Sequence, residues 1–285
     1  MKFLVIGSRK KICKAILDAG HECLFVYPEN LVIDIQSKKL YNGLEEIDYK
    51  SFDAVVILTI VSKIGKYIYD MLKNQDVIII GNPENRLKAS NKVYCALTLS
   101  ANNIPTIKTV YSEGILPEEI LSSIGKEVVM KPIANSEGFG IKLISNKNYV
   151  IEKNKLFQPY IECNSSDERW LVVGGKVVAV MKRTSSKKEE FRANLSLGGI
   201  GEAIVADDKT AELCKKAFNC FDGLVYAGID IIRDKEGNPY IVEINSVPGE
   251  KIIKIANHNY YDDIAKYIIE KTIDAINIKN NKQCL

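Results

Sequence analysis

Histidine is nearly absent from this sequence, which has only two in 285 residues. Because His21 and His258 lie far apart, a histidine-based zinc site and a hydrolase triad are both poorly supported. The seven cysteines are odd in number and include no C-x-x-C pair. They predict reduced thiols rather than a disulfide framework, as is typical of a cytoplasmic protein.

Net charge and long apolar runs are also scarce. A formal net charge of +3 gives no electrostatic reason to expect nucleic acid or a membrane surface as partner. No apolar run approaches the roughly 20 residues of a membrane span. In MKFLVIGSRKK three of the four charged side chains follow the apolar run, the reverse of a signal peptide. We therefore expect a cytoplasmic protein that binds neither nucleic acid nor membrane. The sequence leaves the oligomeric state open, a homo-oligomer included.

Arginine is the scarce basic residue. Only six of the 39 basic residues are arginine, and three of the six fall within Arg169–Arg192. Arginine captures phosphate or carboxylate in a bidentate manner, so this cluster indicates an anion site. Chance clustering explains it equally well.

The N-terminal part alternates strands with helices. Apolar strand patterns at Lys2–Ser8, Asp53–Ile60 and Val77–Ile80 are separated by helical patterns. This alternation predicts a parallel, open α/β sheet that ends near residue 84. The first turn, Gly7-Ser8-Arg9-Lys10, is not G-x-G-x-x-G, so it predicts no dinucleotide site.

The stretch Tyr226–Gly249 reads as a hairpin that carries metal-ligand chemistry. Asp230 lies on its first strand, and Glu243 and Asn245 lie two residues apart on the second. Side chains two apart on a strand share one face, so two carboxylates and an amide oxygen can converge. Such an all-oxygen set suits Mg²⁺. The alternative is an ordinary hairpin with surface acids.

Two lysines are candidates for binding phosphate. Lys92 falls inside a predicted helix that runs from about residue 82 to 103, where a lysine is usually a solvated surface charge. Lys131 ends a predicted strand and leads into a small loop, Ala134–Gly140. A loop of this kind offers backbone N–H groups to phosphates. A plain β-turn is the alternative.

Two further segments have recognisable strand patterns. Leu156–Ile161 reads as an edge or linker strand that can present a backbone carbonyl and an N–H to a planar base; a domain linker fits equally well. Trp170–Met181 reads as a hairpin with a Gly-Gly turn. The charged stretch Thr184–Glu190 that follows reads as a mobile loop.

The order of these parts resembles the ATP-grasp superfamily, and within it the RimK-type carboxylate–amine ligases. The specific segments are GIDIIR…YIVEINSVPG and DERWLVVGGKVVAV…FRAN, and the likeness is weakest over residues 1–81. It implies an α/β protein with the ATP-grasp fold, divided into three parts. These are an N-terminal parallel-sheet domain (1–84), a small central α+β subdomain (85–156) and a C-terminal α+β subdomain with the metal site (157–285).

The resemblance also implies individual roles for residues. Those expected around ATP fall into four groups: Lys92, Lys131, Gly138 and Gly140 at the phosphates, Gln158, Pro159, Tyr160 and Ile161 at adenine, Asp167 at the ribose, and Asn194 with the catalytic Arg192 at the terminal phosphate. The remaining roles are metal ligands and contacts to the carboxylate substrate: Asp230, Glu243 and Asn245 for the metal, and Arg169 and Arg183 for the substrate.

Three departures from the family pattern accompany these roles. Pro159 stands where a glutamate is familiar, and Asn245–Gly249 reads N-S-V-P-G where N-A-S-P-G is frequent. The third is Ala134-Asn135, where RimK has an acid and a glycine. The first departure leaves adenine binding possible, because only the carbonyl of Pro159 is needed for it. The second affects the substrate side of the site, and the third affects loop closure.

The activity implied is formation of an amide bond with ATP and Mg²⁺ or Mn²⁺, with two ions expected. An acyl phosphate forms, ADP and phosphate are released, and an amino acid such as glutamate is joined to a small-molecule or peptide acceptor. Two other functions stay open. One is a non-catalytic ATP-binding regulatory module, and the other is a ligase that modifies the C-terminus of a partner protein.

Overall fold

The computed structural model describes residues 1–59, 62–133, 139–144, 152–187 and 190–283. Within them the strands are, in chain order, β1 (Lys2–Gly7), β2 (Glu22–Val26), β3 (Leu31–Asp34), β4 (Lys39–Asn42), β5 (Glu45–Ile47), β6 (Ala54–Leu58), β7 (Ile79–Ile80), β8 (Val110–Ser112), β9 (Val128–Pro132), β10 (Lys142–Ile144), β11 (Lys155–Pro159), β12 (Ser166–Val173), β13 (Lys176–Thr184), β14 (Ile200–Ala203), β15 (Tyr226–Arg233) and β16 (Pro239–Asn245). The α-helices are α1 (Lys10–Asp18), α2 (Lys63–Leu72), α3 (Pro83–Ser90), α4 (Lys92–Ala101), α5 (Glu118–Ile124), α6 (Asp208–Asn219), α7 (Lys251–Ile255) and α8 (Tyr260–Gln283).

The N-terminal sheet is parallel throughout, with the strand order β2-β1-β6-β7. Its two central strands are continuous apolar runs that are fully buried, as expected when both faces of a parallel sheet are covered. The predicted parallel open sheet is therefore confirmed. A small antiparallel sheet of β3, β4 and β5 lies between β2 and β6 in sequence and was not predicted.

The second sheet has the order β10-β9-β11-β8 and is antiparallel. Strand β11 pairs with β9 on one side and β8 on the other, so the prediction of an edge or linker strand is wrong. Pro159 is tolerated because it is the last residue of β11, where a missing N–H does not interrupt the ladder.

The third sheet has the order β14-β13-β12-β15-β16 and contains both predicted hairpins. Its Gly-Gly turn needs glycine. Gly174 and Gly175 have φ of 55° and 83°, the left-handed pair that a two-residue hairpin turn favours. A Cβ on Gly174 would also lie 2.2 Å from Cδ2 of Tyr267.

One apolar cluster joins the first sheet to the third. Phe3 and Val56 of the N-terminal sheet share it with Leu171 of β12 and Ile264 of α8. The N-terminal sheet is thereby packed against the sheet that carries the proposed metal hairpin. The subdomain boundaries at 84 and 156 stay predictions. Among the described residues, no helix has both the length and the apolar character needed to cross a membrane.

The single helix predicted from about residue 82 to 103 is two helices. Asn91, with φ −87° and ψ 116°, breaks the helical path between α3 and α4. Its side chain accepts hydrogen bonds from the N–H groups of Val93 and Tyr94, which is N-cap geometry. Lys92 is therefore the first residue of α4 rather than an interior helical residue.

Candidate active site

Cross-strand pairing aligns the charged residues of the third sheet. Arg169 on β12 lies opposite Asp230 on β15, which in turn lies opposite Glu243 on β16. Directly paired residues project from the same face of a sheet, so these three side chains are neighbours. Asn245 lies two residues beyond Glu243, opposite Gly228, as the period of a strand predicts.

Two arginines and two aspartates form a continuous network on this face. Arg169 donates from Nε and Nη2 to the two oxygens of Asp230, at 2.7 and 2.6 Å. Arg183 donates from Nε and Nη2 to the two oxygens of Asp167, at 2.5 and 2.6 Å. Nη2 of Arg183 also lies 3.0 Å from Oδ2 of Asp230. Arg183 thus links the two aspartates.

The network keeps Asp230 ionised although its carboxylate is buried. Burial alone would raise the pKa of Asp230, but Arg169 and Arg183 hold it well below its usual range. A negative charge is therefore maintained inside the site at neutral pH. Two guanidinium groups balance this charge, so a cation that binds Asp230 shares the carboxylate with them.

Both candidate phosphate-binding lysines lie beside Glu243. Nζ of Lys92 is 3.3 Å from Oε2 of Glu243. Burial lowers the pKa of Lys131, the carboxylate of Glu243 opposes that shift, and Lys92 adds to it. The helix and the strand that carry these lysines thus bring two amino groups close to Glu243.

A cavity of about 120 Å³, called the smaller cavity below, is lined by the residues expected around a nucleotide. Its lining includes these predicted residues: Lys92, Lys131, Gln158, Pro159, Tyr160, Ile161, Asp167, Arg192, Asn194, Asp230 and Glu243. The rings of Tyr160 and Phe191 meet edge to face at 6.0 Å, which packs the segment around Arg192 against the end of β11.

The N–H groups at the end of β11 differ in their partners. Tyr160 donates its N–H to the carbonyl of Glu127 at 2.9 Å. The N–H of Ile161 has no acceptor within the described ranges of the chain. A donor left open on a cavity wall suits an adenine ring nitrogen.

The larger cavity, about 830 Å³, adjoins the smaller one. Arg169, Arg183 and Asn245 line it, while Lys92, Asn194 and Glu243 line both cavities. Arg169 and Arg183 each use Nε and Nη2 for an aspartate, and neither Nη1 makes a hydrogen bond to a described residue. These Nη1 groups can receive a further anion.

Two of the predicted loop glycines have different outcomes. Gly138 lies outside the described residues, as do Ala134 and Asn135. Gly140 is described, with φ of 72°, but lines neither cavity. Most of the stretch predicted to be a mobile loop is described, except residues 188 and 189.

Arg192 is held by an acidic neighbour. It donates from Nε and Nη2 to the two carboxylate oxygens of Glu190, at 2.8 and 2.6 Å, and its N–H donates to the same side chain at 2.9 Å. A phosphate that recruits Arg192 has to compete with this carboxylate.

Several site residues were missed at the sequence level. Arg9, which follows β1, lines the larger cavity and reaches Glu250 and the carbonyl of Pro248. One signal in the sequence indicated that Arg9 could belong to a site, namely that arginine is scarce in this chain. Ser90, also on the cavity wall, pairs its hydroxyl at 2.6 Å with that of the buried Ser246, and no sequence pattern indicated this pair.

The comparisons with known proteins agree with this geometry. A family model described as a RimK-like ATP-grasp domain matches residues 89–271. A "Probable alpha-L-glutamate ligase 2" of Shewanella baltica is 30% identical over 96% of this chain and 95% of that protein. A "Probable alpha-L-glutamate ligase 1" of Shewanella oneidensis is 29% identical over 94% of this chain and 93% of its own length.

Solved structures match the fold over nearly the whole chain. The ATP-grasp ligase PsnB, complexed with minimal precursor, Mg and ADP, superposes with a TM-score of 0.73 at 15% identity. That match covers 95% of this chain and 97% of PsnB. D-alanine–D-alanine ligase from Bacillus anthracis gives 0.64 at 17% identity, covering 98% and 99%.

The fold, the family match and the relatives show an ATP-dependent carboxylate–amine ligase with the ATP-grasp fold. The chain belongs to the RimK-like ATP-grasp family. The expectation drawn from the sequence segments is confirmed for the family, the fold and the type of reaction.

Proposed function

We propose that this ligase joins an amino acid to a carboxylate acceptor through an acyl phosphate, releasing ADP and phosphate. Glutamate is the amino acid proposed, because two relatives are named as glutamate ligases. We place the reaction in the cytoplasm, since the six described cysteines are free thiols.

The observation that carries this proposal is the junction of the two cavities at Lys92, Asn194 and Glu243. The adenine end of ATP enters the smaller cavity, and the carboxylate and the amine occupy the larger one. The terminal phosphate then lies at the shared wall, within reach of both substrates. A phosphoryl transfer needs this kind of placement, because most of its catalysis is positioning and electrostatic stabilisation.

Nucleotide recognition is assigned to the end of β11 and its surroundings. Adenine donates to the carbonyl of Pro159 and accepts from the open N–H of Ile161. Gln158 and Tyr160 complete that segment, and Asp167 accepts from the ribose. Lys92 and Lys131 bind phosphate oxygens.

Asp230, Glu243 and Asn245 are the proposed Mg²⁺ ligands. Their donors are all oxygen, and Asp230 is kept ionised, so the set fits a hard divalent cation. Within the described residues no three His, Cys, Asp or Glu side chains group closely enough to hold a metal ion alone. The protein therefore supplies an incomplete ligand set that phosphate oxygens complete, and we propose two ions. The Mg and ADP in the PsnB complex support this choice of group.

The carboxylate substrate is assigned to Arg169 and Arg183. Each guanidinium is fixed by an aspartate through Nε and Nη2, which leaves Nη1 for the incoming carboxylate. A prefixed guanidinium loses little side-chain entropy on binding. The two arginines thus hold the carboxylate oxygen toward the shared wall. Asn194 on that wall and Arg192 of the smaller cavity then receive the charge of the transferring phosphate.

A screen of ADP release tests the proposed reaction. The protein and Mg-ATP are incubated with each amino acid paired with carboxylate acceptors, including N-acetyl-L-glutamate and short peptides. We expect ADP and phosphate in equal amounts, with the strongest signal for L-glutamate as the amine. Release of AMP and pyrophosphate, or ATP consumption that no pair stimulates, contradicts the proposal.

The phosphate role of Lys131 makes a separate prediction. Lys131→Ala should weaken ATP binding by roughly ten- to a hundredfold, because a hydrogen bond to a charged group contributes about 1.5–3 kcal/mol. Lys10→Ala is the control, since Lys10 is an exposed lysine at the start of α1 that lines neither cavity. Calorimetric titration with ATP compares the two, and equal affinities would remove Lys131 from the site.

A further inference from the structure

The carboxyl edge of the N-terminal sheet forms one wall of the larger cavity. The wall residues follow three strands: Ser8 and Arg9 after β1, Pro28 and Glu29 after β2, and Thr59 after β6. In open α/β sheets, ligands bind outside the carboxyl ends of strands, where connections leave in opposite directions. Strand β1 marks that point here, because β2 lies on one side of it and β6 on the other. The edge is thus placed to bind a ligand.

Both walls of the larger cavity carry charged side chains. Its cations are Lys92, Arg169, Arg183 and Lys251 on the wall formed by the ATP-grasp part of the chain, and Arg9 on the N-terminal wall. Three glutamates line the cavity, and two of them have cationic partners: Glu243 pairs with Lys92, and Glu250 with Arg9 and Lys11. Glu29 has no cationic partner among the residues that the structure describes.

Arg9 ties the N-terminal wall to the segment that follows the β15–β16 hairpin. Its Nη1 donates to Glu250 at 2.7 Å and to the hydroxyl of Tyr261 at 2.9 Å, and its Nη2 donates to the carbonyl of Pro248 at 2.9 Å. Pro248 and Glu250 follow Asn245 closely in the chain. The wall with Glu29 therefore stands at a fixed position relative to the proposed metal ligands.

We propose that this wall binds the amine co-substrate, with Glu29 accepting a hydrogen bond from its ammonium group. The inference rests on the proposed function, which requires a carboxylate and an amine in one cavity. Arg169 and Arg183 attract the carboxylate on one side, and the unneutralised Glu29 attracts the amine on the other. The N-terminal domain is then a substrate-binding domain as well as a scaffold.

Binding of two compounds that differ at one group tests this site. L-Glutamate and 2-oxoglutarate carry the same two carboxylates, but the second has a ketone in place of the amine. Each is titrated by calorimetry into protein saturated with Mg-ADP. Glu29→Gln is compared with wild type and with Glu22→Gln, an exposed glutamate of β2 that lies outside the cavity lining.

We expect Glu29→Gln to weaken L-glutamate binding about fivefold, the size of an exposed ion pair, and to leave 2-oxoglutarate binding unchanged. Glu22→Gln should alter neither. Equal L-glutamate affinities, an equal loss for both compounds, or a wild-type protein that binds no L-glutamate would overturn the amine site. The ligase reaction is judged separately by ADP release, so it can survive the loss of this assignment.

Discussion

Replacing Glu243 with glutamine should remove most of the stabilisation that Mg-ATP gives to the protein. A ligand at about 100 times its dissociation constant adds roughly 2.7 kcal/mol to the free energy of unfolding. In wild type we expect this to raise the melting temperature by roughly 5 °C. Glu243 carries the effect because it lies opposite Asp230 in the proposed metal site and beside Lys92.

The matched control for Glu243→Gln is Glu236→Gln. Glu236 lies in the turn of the same hairpin, is exposed, and lines neither cavity. Melts with and without Mg-ATP should show the full shift in this control and a much smaller one in Glu243→Gln. Equal shifts in the two variants would rule out Glu243 as a metal ligand.

The hairpin of β15 and β16 was predicted from sequence because its information is local. Period-two alternation places Glu243 and Asn245 on one face, and a polar turn after Asp230 predicts antiparallel pairing. The exact register was not readable. Asp230 pairs with Glu243 but the next residue, Ile231, pairs with Ile241, so an irregularity between them sets which side chains meet.

The break at Asn91 could have been predicted. Asparagine is a preferred N-cap residue, and here it precedes the helix that starts with Lys92. The helical pattern on both sides concealed the boundary. The consequence is functional, since an N-terminal helix position brings Lys92 to Glu243, whereas an interior surface position would not.

The substrate wall could not be predicted from local patterns. Arg9 reaches Pro248 and Glu250, and Glu29 lines the same cavity, only because the first sheet packs against the third through a shared apolar cluster. No period or motif within residues 1–30 encodes that contact. Arg169 and Arg183 were predicted, because arginine is scarce and clusters there, but their fixation by Asp230 and Asp167 required the sheet register.

Arg192→Ala should lower turnover far more than it weakens ATP binding. We assign Arg192 to the charge that develops on the transferring phosphoryl group. Loss of one such contact costs about 10²–10³-fold in rate, or about 3–4 kcal/mol. ATP affinity depends mainly on the other proposed contacts, so kcat should fall while the dissociation constant of ATP changes little.

The ion pair between Arg192 and Glu190 explains why Arg192 should affect the rate more than ATP binding. Before phosphate transfer one carboxylate already occupies Arg192, so the ground state gains little from exchanging it for ATP. A transferring phosphoryl group concentrates more negative charge at the cavity junction and competes better for the guanidinium. Arg192→Lys keeps the charge but loses the planar pair of donors, and we expect its rate to fall between wild type and Arg192→Ala.

Hydroxylamine allows formation of the acyl phosphate to be measured without the amine substrate. With Mg-ATP, the carboxylate found in the screen and no amino acid, an acyl phosphate is trapped as a hydroxamate while ADP is released. Wild type should form hydroxamate readily, and Arg192→Ala should form it at least 100 times more slowly. Equal hydroxamate rates would show that Arg192 does not act on phosphate transfer. Release of AMP and pyrophosphate by wild type would place activation on an adenylate, and neither the role of Arg192 nor the acyl phosphate would then stand.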